Sequence, residues 1–106
     1  MRIEEIAARY VSVITYMEIL QGARNRAHAR EIGQVLADVG LTMLPLTENI
    51  GHRAAVYMEE HALSGDLNMA DALIAATAIE RNLLLLTANL RHFRLIAGLE
   101  VKAFRS

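Results

Sequence analysis

The sequence predicts an open α/β sheet, in which short strands alternate with helices in a single domain. Short apolar or β-branched runs alternate with amphipathic segments, and the links between them are brief. The run Leu83–Thr87 is apolar up to its last residue, which is typical of a parallel strand covered on both faces. The 106 residues are enough for one hydrophobic core and too few for two.

The first half of the chain contains signals for helices and strands in alternation. A short helix is expected at the start, from apolar residues at helical spacing, namely Ile3, Ile6, Ala7 and Tyr10. The elements that follow are a strand over Tyr10–Ile14, a helix from Thr15 to about Ala23, a helix over Arg26–Val39, a strand over Thr42–Leu46 and a helix from Thr47 to about Leu63. Gly40 is expected to end its helix, because glycine readily adopts the left-handed conformation found there. Pro45 favours a strand end or a sheet edge, since proline lacks an N–H group.

The second half of the chain begins with a predicted loop over Ser64–Asn68. Met69–Asn82 predicts a helix that is apolar nearly all round, and such a helix packs deep in a domain. The strand Leu83–Thr87 comes next, and Leu99–Ala103 is the last predicted strand. No repeat, linker or low-complexity segment interrupts this order, so a single domain over residues 1–106 is expected.

The composition excludes several classes of protein. Without cysteine there is no disulfide, no thiolate zinc site and no cysteine nucleophile. No apolar run reaches the roughly 18 residues of a membrane span, and the start lacks the pattern of a signal peptide, so a cytoplasmic protein is expected. The net charge of -1 gives no general attraction for nucleic acid. The 54% hydrophobic content indicates apolar surface that another subunit covers.

Three polar side chains are expected to meet at one edge of the sheet, namely Glu18, Asp71 and Asn89. Asp71 lies in an apolar helix, where a charge is costly unless it is paired, capped or bound to a cation. Each of the three lies at the carboxyl side of a predicted strand, where open α/β sheets bind their ligands. Oxygen ligands alone suit Mg²⁺ or Mn²⁺. Without a cation, repulsion should raise the pKa of at least one of the two carboxyl groups.

A plainer interpretation of the two acids is helix capping. Glu18 has the spacing of a capping box with Thr15, and Asp71 has the same spacing after an Asn68 cap. The residues alone leave both interpretations open. The four histidines lack the spacing of metal ligands and are interpreted as surface or interface residues, namely His28, His52, His61 and His92.

Three blocks of the sequence resemble motifs of the PIN-domain family, especially of its bacterial VapC-type toxins. Val11–Gly22 is similar to the family's second acidic motif and Asp71–Ala78 to its third, while Leu86–Phe93 with Ile96–Leu99 is similar to the end of its domain. The blocks occur in the order that the family has. The resemblance covers essentially the whole chain.

The resemblance implies a three-layer α/β/α fold with a short, mainly parallel sheet. It also implies a magnesium-dependent endoribonuclease of a toxin–antitoxin system. By position, it implies that Glu18 and Asp71 are metal ligands with catalytic roles, that Asn89 is a weaker fourth polar residue and that Thr87 supports it. An RNA substrate, a homodimer and an antitoxin-like protein partner are implied in the same way.

The chain departs from the family at its start. Family members begin with a strand that ends in the first metal-binding Asp and lies in the middle of the sheet. That segment is absent here, so we expect an N-terminally truncated PIN domain, through a misassigned start codon, gene decay or a shortened chain. Weak binding of Mg²⁺ or Mn²⁺ is then expected, with slow or absent RNA cleavage. The gap between Tyr10–Ile14 and Leu83–Thr87 is expected to be covered by a second subunit rather than closed within a stable monomer.

Two alternatives to the ribonuclease stay open. One is a non-catalytic interaction module, in which the same scaffold dimerises or binds an antitoxin-like partner. The other is an unrelated small α/β subunit in which Glu18 and Asp71 only cap helices. Magnesium-dependent RNA cleavage separates the ribonuclease from the interaction module, and carboxyl groups that point apart favour the unrelated subunit.

Overall fold

Five short strands form one mixed sheet in the computed structural model, which describes residues 5–6, 10–64, 67–87 and 90–103. The strands are β1 (Glu5–Ile6), β2 (Tyr10–Ser12), β3 (Thr42–Leu44), β4 (Leu85–Thr87) and β5 (Val101–Ala103). Their order across the sheet is β3-β2-β1-β4-β5. β2 pairs with β3 and β4 with β5 in parallel, whereas β1 runs antiparallel to both of its neighbours. The other four described strands therefore point the same way, and their carboxyl ends share one edge of the sheet.

Helices connect these strands, which confirms the predicted α/β class. They are α1 (Val13–Gln21), α2 (Arg26–Val39), α3 (Glu48–His61), α4 (Met69–Glu80) and α5 (Leu90–Phe93), with a 3₁₀ turn over Ala62–Ser64. α4 packs against α3 and α1, and α1 also contacts α2. None of the helices in the described ranges combines the length and the apolar character that a membrane crossing requires.

Side-chain caps fix where the four longer helices begin. Ser12, Asn25, Thr47 and Asn68 each accept a hydrogen bond from a backbone N–H in the first turn of α1, α2, α3 and α4. Such caps satisfy donors that have no partner inside the helix. The predicted start of α3 after Thr47 and both predicted ends of α2 are confirmed. Gly40 ends α2 in the left-handed conformation, with a φ of 80°.

The predicted start of α1 at Thr15 is wrong. The structure starts the helix at Val13, because the Ser12 hydroxyl accepts a hydrogen bond from the Ile14 N–H at 3.1 Å. β2 correspondingly ends at Ser12 rather than at Ile14. Smaller differences occur elsewhere, since β3 ends at Leu44 and α4 ends at Glu80.

The middle of the sheet differs most from expectation. The helix predicted at the start is wrong where the structure describes it, because Glu5–Ile6 form a strand, while residues 3 and 7 lie outside the described residues. Glu5 and Ile6 pair with Leu86 and Leu85 on one side and with β2 on the other. The expectation that a second subunit covers this gap is therefore wrong. The backbone N–H and C=O groups of β2 and β4 need hydrogen-bond partners, and β1 of the same chain supplies them.

The hydrophobic core is centred on α4. Seven of its residues are buried, namely Asp71, Ala72, Ile74, Ala75, Ala76, Thr77 and Ala78. Leu85 of β4 and Phe93 of α5 are also almost fully buried in this core. The small alanine side chains leave room for neighbouring elements to approach closely. The prediction that this helix lies deep in the domain is confirmed, and the packing holds its first turn, which carries Asp71, in a fixed place.

Candidate metal site at the carboxyl edge of the sheet

Asp71 lies in the first turn of α4, and the capping interpretation is correct for it. The Asn68 side-chain oxygen accepts a hydrogen bond from the Asp71 backbone N–H at 2.8 Å. The Asp71 carboxylate in turn accepts a hydrogen bond from the backbone of Asn68, and this bond lowers the pKa of Asp71. Capping does not satisfy the whole carboxylate, however. The side chain is only 8% exposed, and its buried Oδ2 has no well-directed hydrogen-bond donor.

The environment of Asp71 disfavours its negative charge overall. Burial is the largest influence and raises the pKa of this carboxyl group above its ordinary value. The His92 charge, the bond with the Asn68 backbone and the contact with the His92 side chain act in the opposite direction and do not cancel the effect of burial. A further positive charge at this site would favour the ionised form.

His92 lies beside the Oδ2 atom of Asp71. Its Nδ1 lies 3.1 Å from Oδ2, a hydrogen-bond distance, but Oδ2 still lacks an aligned donor, so the contact is poorly directed. The interpretation of His92 as only a surface or interface residue missed this contact. The available signal was the position of His92 just after β4, at the carboxyl edge of the sheet.

Glu18 approaches the same place from α1, which packs against α4. Its interpretation as the acid of a capping box with Thr15 is wrong, because Ser12 caps α1 and Glu18 lies in the second turn. The residue is exposed, yet partial burial of its carboxyl group raises its pKa, and the Asp71 charge raises it further. The two carboxyl groups are thus close enough to repel each other. The prediction that repulsion raises the pKa of at least one of the two carboxyl groups is confirmed for Glu18, whereas burial is what raises the pKa of Asp71.

The structure therefore brings together two of the three predicted site residues. Glu18 and Asp71 interact, whereas Asn89 lies outside the described residues. Thr87 is fully buried at the end of β4, as expected of a supporting residue. Thr15 is also buried, at 3% exposure, and its hydroxyl has no hydrogen-bond partner. Sequence reasoning treated Thr15 as a cap and did not anticipate this.

The donors present fit a hard divalent cation in part. Over residues 5–6, 10–64, 67–87 and 90–103, no three Asp, Glu or His side chains form a ready-made metal site. The oxygens of two neighbouring carboxyl groups nevertheless are of the kind that Mg²⁺ or Mn²⁺ binds. A cation held between Glu18 and Asp71 would relieve the repulsion that raises the pKa of Glu18.

The chain is similar in sequence to proteins of one family. The family model described as the PIN domain matches residues 2–99. Ribonuclease VapC10 from two strains of Mycobacterium tuberculosis is 35% identical over 91 residues, which are 85% of this chain. The match spans 66% of the length of those curated relatives, slightly less than two thirds.

Solved structures with the same fold include three toxin–antitoxin assemblies. A toxin–antitoxin complex from Klebsiella pneumoniae matches with a TM-score of 0.69 and 28% sequence identity. The matched region covers 88% of this chain and 71% of the chain in that complex. DNA-bound VapBC from Salmonella typhimurium matches with a TM-score of 0.72 and 27% sequence identity, over 89% of this chain and 74% of the matched chain. VapBC2 from Rickettsia felis, bound to promoter DNA, matches with a TM-score of 0.77 over 91% of this chain and 74% of the matched chain. Its sequence identity is 20%, so this similarity shows the fold alone.

These structural similarities agree with the α/β fold of the chain. The family model alone extends over nearly the whole chain. The chain belongs to the PIN-domain family and is homologous to the VapC ribonucleases.

Proposed function

We propose that this chain is a VapC-type, metal-dependent endoribonuclease of a toxin–antitoxin pair, with Glu18 and Asp71 as its metal ligands. The observation that carries the proposal is the closeness of two carboxyl groups at the carboxyl edge of the sheet, where the Asp71 charge raises the pKa of Glu18 and burial raises the pKa of Asp71. The homologous ribonucleases support the reaction class. Asn89 is proposed as a third, weaker contributor from the segment after β4.

Each residue has a separate task in this mechanism. The bond with Asn68 and the packing of α4 hold Asp71 still, so that Oδ2 keeps its direction. Glu18 supplies a second carboxylate from the more exposed surface of α1. A bound Mg²⁺ or Mn²⁺ supplies a lowered pKa for a coordinated water and stabilises the phosphoryl oxygens of RNA. Two acids position a cation less firmly than a fuller cluster does, so we expect weak metal binding and slow cleavage.

Single-stranded RNA incubated with the purified chain tests this proposal, with Mg²⁺, with Mn²⁺ and without either. Asp71→Asn and Glu18→Gln should abolish cleavage, because each removes a carboxylate charge while keeping nearly the same shape. Asp38→Asn on α2 and Glu59→Gln on α3 are matched controls, since both acids are exposed. Cleavage that persists in Asp71→Asn contradicts the assigned site. Robust cleavage by the wild type that Asp71→Asn abolishes supports the site but contradicts the expected slowness.

A second candidate function is a non-catalytic interaction module that forms a homodimer or binds an antitoxin-like protein. Large apolar side chains are exposed on α1, α2 and β3 and on the segment after β3, namely Met17, Val35, Val39, Met43 and Leu46. Exposed apolar groups of this kind favour a protein interface. Light scattering over a concentration series tests the homodimer. A chain that stays monomeric throughout contradicts the dimer.

A further inference from the structure

Three arginines cluster where α1 passes into α2, and the proposed function gives them no task. Arg24 lies in the connection between the two helices, while Arg26 and Arg30 lie about one turn apart on α2. All three are exposed, and among the residues that the structure describes none of their guanidinium groups is ion-paired to a carboxyl group. These three residues form the arginine cluster.

The arginine cluster lowers the stability of α2 rather than raising it. Arg26 is the first residue of this helix, where the partial positive charge of the helix end disfavours a cation, and no acid occurs in that turn. Arg26 and Arg30 are like charges four residues apart, which is an unfavourable pair on a helix. Helix stability therefore does not explain these residues, and an anion bound from outside would offset both effects.

Two local hydrogen bonds fix the backbone that carries the cluster. Oδ1 of Asn25 accepts a hydrogen bond from the His28 N–H at 2.8 Å, and this bond caps α2. Nδ1 of His28 accepts a hydrogen bond from the Arg24 N–H at 3.0 Å. The arginine side chains thus extend into solvent from a backbone that is already held in place.

The arginine cluster lies near the candidate metal site, because both adjoin α1. The Cα atoms of Glu18 and Arg24 are at most about 16 Å apart, since three helical residues advance about 1.5 Å each and three further residues at most about 3.6 Å each. Sites for single-stranded nucleic acid span about 4–16 nucleotides. A strand that reaches Glu18 and Asp71 is therefore long enough to cross the cluster as well.

We propose that the arginine cluster binds the phosphate backbone of a single-stranded RNA whose neighbouring nucleotides reach Glu18 and Asp71. This inference rests on the proposed function for RNA as the anion. Guanidinium groups match phosphate oxygens in charge and in hydrogen-bond geometry. Because the whole chain has a net charge of -1, the attraction is local to the cluster. Contacts to phosphate position the strand without reading its sequence.

Fluorescence anisotropy of a labelled single-stranded RNA measures binding to the full chain, with EDTA present so that cleavage does not interfere. A chain with Arg24→Gln, Arg26→Gln and Arg30→Gln should bind this RNA at least about tenfold more weakly at low salt. The slope of log affinity against log salt should become shallower by about 2, because each phosphate contact on a single strand contributes about 0.7. Lysine at the same three positions keeps the charges and should restore most of the slope.

Arg81→Gln is the matched control, because Arg81 is an exposed arginine at the opposite end of α4 from Asp71. It should leave the RNA affinity and the salt slope nearly unchanged. Thermal unfolding of the RNA-free chain separates binding from a structural role. Arg26→Gln removes an unfavourable charge from the start of α2, so the unfolding midpoint should stay the same or rise while RNA binding weakens. A lower midpoint with an unchanged salt slope means that the role is structural and overturns the inference.

The remaining outcomes separate the inference from the proposed function. RNA cleavage with a salt slope that does not depend on the cluster overturns the inference and leaves the ribonuclease intact. Binding of RNA through the cluster without any cleavage supports the inference and contradicts the ribonuclease. Poly-glutamate serves as a probe for an acidic protein partner. If it binds through the cluster and RNA does not, the inference is overturned, and the cleavage assay still decides the ribonuclease.

Discussion

At the scale of single residues, Asp71 contributes to the first turn of α4, but burying its charge costs folding free energy. Its carboxylate accepts a hydrogen bond from the Asn68 backbone at the cap of α4, and its buried Oδ2 lies 3.1 Å from Nδ1 of His92. Burial raises its pKa, so the folded chain disfavours the ionised form. A buried charge of this kind lowers the free energy of unfolding, whereas a neutral side chain of the same shape would not lower it.

We therefore expect Asp71→Asn to stabilise the metal-free chain at pH 7, by about 1 kcal/mol. This raises the unfolding midpoint by about 4–8 °C in a domain of this size. Because the pKa of Asp71 is raised in the folded state, the cost is full above that pKa and vanishes below the value of the unfolded chain. The advantage of Asp71→Asn should accordingly shrink as the pH falls towards 4, a pH chosen as roughly the ordinary value for Asp. Thermal unfolding at both pH values measures it.

Asp38→Asn is the control for this comparison, since Asp38 is exposed on α2. It should change the midpoint little at either pH. A lower midpoint for Asp71→Asn at pH 7 would mean that the charge-dependent contacts with His92 and the Asn68 backbone outweigh burial.

Thr15 gives a second test at this scale. Its hydroxyl is buried without a hydrogen-bond partner, which costs free energy, whereas a methyl group in the same place costs none. Thr15→Val should thus raise the free energy of unfolding by about 1 kcal/mol in urea denaturation. A loss of stability would show that the hydroxyl has a partner in solution.

At the scale of elements, the start of α1 rests on Ser12. This residue ends β2, pairs with Leu44 in the parallel ladder and caps the helix that carries Glu18. Ser12→Ala should lower the free energy of unfolding by about 1 kcal/mol, the usual value for the loss of a cap. Urea denaturation measures this, with Ser12→Thr as the variant that keeps a capping hydroxyl. Equal stability of Ser12→Ala and the wild type would contradict the assigned cap.

The elements also show which features can be predicted from sequence. α2 and the start of α3 depend on neighbouring residues, such as Gly40 and Thr47, and their predictions are correct. The start of α1 offers two capping residues, Ser12 and Thr15, and the strand register decides between them. β1 depends on pairing with Leu85 and Leu86, which are distant in sequence, so local periodicity suggested a helix instead.

The candidate site likewise has features that the local sequence predicts and features that depend on residues distant in sequence. The closeness of Asp71 and Glu18 was predictable, because each follows a predicted strand at the same edge of the sheet. The contact between His92 and Asp71 was not predictable from spacing, since it joins α5 to the first turn of α4 across the fold. Only the common edge of the sheet relates the two residues.

At the scale of the whole molecule, β1 can be tested directly, because the chain has no cysteine. Ile6 and Leu85 are Cα partners in an antiparallel pair, and such partners have the spacing that a disulfide requires. A chain with Ile6→Cys and Leu85→Cys should form an intrachain disulfide on oxidation. Non-reducing electrophoresis and mass spectrometry detect it.

The control combines Ile6→Cys with Leu44→Cys, because β2 separates β1 from β3 in the sheet. This pair should not form an intrachain disulfide. Disulfide-linked dimers from the Ile6 and Leu85 pair would mean that a second copy supplies the middle strand.

The position of β1 has a consequence for the order in which the chain is assembled on the ribosome. β1 occupies the middle of the sheet, but one of its two partners, β4, is synthesised only after the helices α1 to α4. Until residues 85–87 have emerged, the hairpin of β1 and β2 has an open edge and the Ala-rich helix α4 has no complete surface to cover. Pairing between such distant segments is slow, and open edges invite association between chains. The middle of the sheet is thus completed only after β4 has been synthesised.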